Sequence, residues 1–111
     1  DEINVTGEIP IAIKLIEKKI NIKSWRDMWL YICNQMYELD SMKFLEFTKD
    51  EDFLGKKNRI ITLNKNECRD PEIIGERIYI EKNLNANSIL NYSRMVLEKY
   101  YLTDDFIYWL Q

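Results

Sequence analysis

The stretch Arg77–Leu90, RIYIEKNLNANSIL, decides how the rest of the chain is read. Ile78 and Ile80 alternate with Arg77, Tyr79 and Glu81, the period of two expected of a strand that sends its isoleucines one way and its polar side chains the other. The alternation stops at Asn83, and asparagines follow at Asn83, Asn85 and Asn87. Asn85 or Asn87 then caps a helix expected from about Asn87 to Tyr101, with Ile89, Tyr92, Val96 and Tyr100 on its apolar side. Such a corner has two readings. Asparagine is common in turns and caps for purely local reasons. Unpaired N–H groups at a helix start can also meet phosphate, and an asparagine amide can donate and accept at once, matching the edge of adenine. Spacing alone favours the local reading.

Upstream lies Gly55–Arg59, GKKNR, a glycine turn followed by Lys56, Lys57, Asn58 and Arg59. Cations in this pattern suit phosphates, and Arg59 could make a bidentate contact, although a short basic cluster is more often a solvated turn. Ile60–Leu63 reads as a strand, Asn64–Pro71 as a polar connection with a boundary at Asp70-Pro71, and Gly75 as a turn. The acidic run Lys49–Asp52 lacks the alternating spacing of a calcium loop and reads as solvated.

Toward the N-terminus, Ser24 and Asp27 form a helix start resembling a capping box. Trp25, Met28, Trp29, Ile32, Cys33, Met36 and Leu39 then make a core-facing stripe on a helix ending near Asp40. A second short helix is expected over Ser41–Phe47, with Phe44, Leu45 and Phe47 packing on the first. Ile9–Lys23 alternates on both sides of Glu17-Lys18-Lys19 and predicts a β-hairpin turning at those three residues; Ile13, Ile16, Lys19 and Ile20 also fit a helix through Ile13–Ile20, but Pro10 and the isoleucine density favour strand. Phe106–Leu110 closes the chain as a strand or helical end after a turn at Thr103–Asp105. The expected fold class is α+β: an N-terminal hairpin, two to three main helices and a small antiparallel sheet. Residues 1–8 are expected as a flexible segment and 9–111 as a single domain, which could be part of a longer protein.

Composition narrows the chemistry. The 111 residues contain no histidine, which removes the commonest general base and transition-metal ligand. No enzyme, cofactor or metal is therefore expected. A metal nuclease built on Asp50, Glu51 and Asp52, or on Asp104 and Asp105, ranks last, because adjacent acids on a loop rarely converge on one ion. Cys33 and Cys68 lack CxxC spacing and are expected as reduced thiols of a cytoplasmic protein, with a Cys33–Cys68 disulfide as the minority reading. No apolar run approaches the roughly 20 residues that span a bilayer, so no membrane association is expected. The net charge of −3 runs against the basic surplus usual in duplex-binding domains.

From Trp25 to the end, the chain resembles the C-terminal DNA-binding domains of the SeqA family, bacterial proteins that recognise hemimethylated GATC. The resemblance rests on Met36-Tyr37-Glu38-Leu39-Asp40 at a helix end, against L-Y-x-L-D; on Phe44 and the Gly55-Lys56 turn, against G-R-x-R; and on Tyr79–Asn85, YIEKNLN, against an aromatic strand ending in N-x-N. It implies that Asn83 and Asn85 meet the methylated A·T pair and that Lys56 and Lys57 lie in a loop contacting the groove and phosphates. Asn87 and Ser88 extend the same corner. Asn58 stands where the family has its second arginine, and Arg59 follows one position later, a displacement that can cost a bidentate contact of about 1–3 kcal/mol. The family's N-terminal multimerisation segment has no counterpart here, and the Ile9–Lys23 hairpin lies outside the likeness. The implied function is a non-catalytic module for double-stranded DNA, with hemimethylated sites as the implied target and a bacterial, nucleoid-associated location. The alternative is a protein-interaction domain that kept the fold and lost DNA binding, such as an accessory domain of a restriction or defence protein. Seven tyrosines and three tryptophans suit that alternative.

Overall fold

A computed structural model describes residues 3–111. The fold is α+β. Strands β1 (Pro10–Leu15) and β2 (Lys18–Asn21) lead into helices α1 (Trp25–Leu39) and α2 (Ser41–Glu46); β3 (Ile61–Thr62), β4 (Pro71–Ile74) and β5 (Ile78–Glu81) follow, then α3 (Ala86–Lys99) and β6 (Phe106–Leu110). Two antiparallel sheets form, in the orders β2-β1-β6 and β3-β5-β4. The contacts gather into two compact units, one of residues 3–31 with 84–111 and one of residues 32–83.

In the first unit, β1 and β2 form the expected hairpin, but its turn is Ile16-Glu17, one step earlier than the charge pattern suggested. Leu15 pairs with Lys18, so only two residues connect the strands, and Lys18 and Lys19 belong to β2. Both turn residues have positive φ, 49° at Ile16 and 63° at Glu17, the mark of a type I′ turn that ordinarily selects Asn-Gly. A β-branched residue is costly there. The ladder to β2, together with the bond from Ile16 N–H to the Asp105 carbonyl (3.0 Å), holds the turn in place. Replacing Ile16-Glu17 by Asn-Gly is expected to raise the unfolding free energy by about 1 kcal/mol, read as a higher urea midpoint; a lower midpoint would count against this account of the turn.

The segment expected to be flexible is anchored over its described part. Val5 is buried, and its N–H donates to Asn87 Oδ1 (2.8 Å). The Trp25 indole N–H donates to the Glu8 carbonyl at 2.8 Å. Asp27 N–H donates to Ser24 Oγ (3.0 Å), and Asp27 Oδ2 accepts from Lys23 N–H (2.9 Å). The short aspartate thus closes the capping box one residue further upstream than a glutamate would. Ile89 and Val96 of α3 and Tyr100 at its C-cap are buried as the spacing predicts, while Tyr92 is half-buried.

In the second unit, Ile32, Cys33 and Met36 of α1 are fully buried, whereas Leu39, the last member of the predicted stripe, is 58% exposed at the helix end. Asp40 caps α2 by accepting from Lys43 N–H. Phe44, Phe47 and Phe53 stack in sequence as a buried aromatic row. Gly75 has φ +69°, and the Tyr37 ring occupies the space where its Cβ would stand. Both cysteines are free thiols. Among the described residues no helix is long and apolar enough to cross a membrane.

A basic groove and an asparagine cap

The Gly55–Arg59 loop is a tight reversal. Gly55 N–H donates to the Asn58 carbonyl (2.8 Å), Ile60 N–H to the Phe53 carbonyl (2.7 Å), and Leu54 bridges to Arg59. A Cβ at Gly55 would lie 2.9 Å from the Asn58 carbonyl oxygen, so glycine is needed for close approach. The reversal lifts Lys56, Lys57 and Asn58 into solvent. The two lysine ammonium groups make no ion pair among the described residues.

Arg59 is placed differently. Its Nε donates to the Ile61 carbonyl (3.1 Å), and its Nη2 donates to the carbonyls of Phe47 (3.0 Å) and Asp50 (2.6 Å). The Phe47 carbonyl is at the C-cap of α2, an end that favours a cation. The guanidinium expected to clamp a phosphate is therefore committed to the fold.

The loop forms one wall of a groove of about 290 Å³, lined by Gly55–Ile60 together with Arg69 and Glu81. Glu81, expected to face outward by alternation, is only 5% exposed. Its carboxylate accepts three backbone N–H groups: Arg69 (2.6 Å), Asp70 (2.9 Å) and Asn83 (3.0 Å). One buried carboxylate thus fixes both the 69–70 connection and the exit of β5, and with it the exposed Asn83. Arg69 had no periodicity or motif to draw attention to it; the only signal was a cation in a polar connection. Next to it, Lys82 pairs with Glu72 (3.0 Å) and Asp70 (3.8 Å).

Burial, then the carboxylates of Glu81 and Glu67, push the Cys68 thiol up to about 11. The folded chain holds this proton more tightly than the unfolded chain. The associated stability is therefore present below about pH 9 and is lost as pH rises toward 11. Alkylation of native Cys68 by iodoacetamide at pH 8 is expected to run tens-fold slower than in urea, since the thiolate is the nucleophile; equal rates would contradict this environment.

The remaining predicted residues lie in the other unit. Asn85 is the cap of α3: its Oδ1 accepts from Ser88 N–H (2.8 Å), and the residue is exposed. Asn87 is fully used. Its Oδ1 accepts from Val5 N–H, and its Nδ2 donates to Asn4 Oδ1 (3.2 Å) and Thr6 Oγ1 (3.0 Å). Ser88 is half-buried in the first turn of the helix.

No family model, curated protein or solved structure matches this chain. The sites therefore rest on geometry. That geometry brings Lys56, Lys57, Asn58 and Asn83 into one unit with free side chains, leaves Asn85 as an exposed cap in the other, and assigns Arg59 and Asn87 to holding the backbone. Among the described residues no cluster of acids and cysteines could hold a metal ion.

Proposed function

We propose that this chain is a non-catalytic module for double-stranded DNA, similar to the SeqA-type domains, that offers Lys56 and Lys57 to the phosphates and Asn83 to the bases. One observation carries the reading: two ammonium groups, unpaired among the described residues, stand on a glycine-braced reversal beside a groove whose single carboxylate is buried and covered by backbone N–H groups. A protein with net charge −3 gains little from unspecific attraction, so its positive charge must be local and base contacts must supply much of the affinity. A methylated adenine in a GATC-type site is the feature that Asn83 would read.

The test is titration of unmethylated, hemimethylated and fully methylated GATC duplexes at two salt concentrations. Saturable binding that favours one methylation state and weakens when Lys56 and Lys57 are both replaced by alanine is the expected result. No binding to any duplex would end this reading.

A second reading, a protein-interaction domain, has its own observation. Met42 is 70% and Leu63 46% exposed at a groove of about 280 Å³ that also includes Leu45, Lys49 and Arg77. Retention of a protein partner by a chain carrying both Asn83→Ala and Lys56→Ala would support it.

A further inference from the structure

The DNA reading leaves one gap in the groove: its expected guanidinium, Arg59, is consumed by three backbone carbonyls. Arg69 lines the same groove, is exposed, and makes no side-chain hydrogen bond or ion pair among the described residues. Its backbone is held firmly, because Arg69 N–H and Asp70 N–H both donate to the buried Glu81 carboxylate. The acids that could capture Arg69 are engaged elsewhere: Asp70 and Glu72 by Lys82, and Glu67 by the Thr62 hydroxyl. A planar five-donor fork is thus presented from a fixed backbone position beside the two lysines.

We infer that Arg69 supplies the guanidinium of this groove and clamps a backbone phosphate of the duplex. This inference rests on the DNA reading. An arginine meets a phosphate through two parallel N–H···O bonds, which a lysine at the same position cannot reproduce. Glu81 acts here as a positioning residue, setting where the fork starts.

Two variants of the full chain test it, Arg69→Ala and Arg69→Lys, titrated with GATC and scrambled duplexes across a salt series. The side chain is exposed, so thermal unfolding followed by circular dichroism should match the parent. Arg69→Ala is expected to weaken binding by about the same factor on every duplex and to lower the slope of log affinity against log salt by about 0.9. Arg69→Lys should restore the slope while recovering only part of the affinity. An unchanged slope and affinity in Arg69→Ala, with the parent still binding, would overturn the Arg69 assignment alone. So would a loss confined to one sequence, since that marks a base contact. If the parent binds no duplex, this inference falls together with the DNA reading.

Discussion

Replacing Glu81 by alanine is expected to lower the unfolding free energy by about 3–5 kcal/mol. The change strips three backbone N–H groups, those of Arg69, Asp70 and Asn83, of their shared acceptor. Each buried donor left unpaired costs about 1–3 kcal/mol, with partial relief as water enters the 69–70 connection. Glu81→Gln keeps an acceptor oxygen and should cost roughly half as much. Urea unfolding gives the comparison directly, as a fall in midpoint at constant slope. A Glu81→Ala chain within about 1 kcal/mol of the parent would show that the carboxylate does not organise the connection.

Arg59→Ala is expected to cost about 2–4 kcal/mol, because the carbonyls of Phe47, Asp50 and Ile61 lose their bonds to the guanidinium together, Phe47 and Asp50 keeping only the N–H groups of Asp50 and Phe53. The contrast with its neighbours is the more telling measurement. Alanine at Lys56 and Lys57 should leave the urea midpoint within about 0.5 kcal/mol of the parent while removing two cations from the groove. Arg59→Ala, in conditions where it is folded, should bind duplex nearly as well as the parent. If stability stays constant in Arg59→Ala while duplex affinity collapses, the guanidinium is a nucleic-acid contact and its bonds to the backbone are incidental.

These results follow from side chains that were hard to judge in the sequence. The strand at Ile78–Glu81 and the helix from Ala86 were legible because periods of two and 3.6 are local signals. Glu81 obeyed the strand period as an outward residue and is nevertheless buried, because donors eleven and twelve residues upstream fold over it. Strand β4 was hidden behind Pro71, read as a boundary. A proline is permitted at the first position of an edge strand, and β4 lies at the edge of its sheet. Arg59 and Arg69 differ only in what surrounds them. One sits among the carbonyls at the end of α2, and the other beside acids that have already found partners. No spacing rule separates those two cases. The asparagines divide in the same way: Asn85 caps as its position suggests, while Asn87 is occupied by Asn4, Val5 and Thr6, distant in sequence.

The pairing of β1 with β6 brings Leu15 beside Phe106 and Pro10 beside Leu110. Closing that loop costs an entropy equivalent to about 4 kcal/mol before any ladder bond compensates it. The Ile16-Glu17 turn gives little help, since isoleucine and glutamate are poorly suited to the left-handed dihedrals that this turn demands. The β2-β1-β6 sheet should therefore be a late event in folding, with the shorter-range 32–83 unit able to order ahead of it. Refolding monitored at Trp109, in β6, should lag behind refolding monitored at a probe placed on β5.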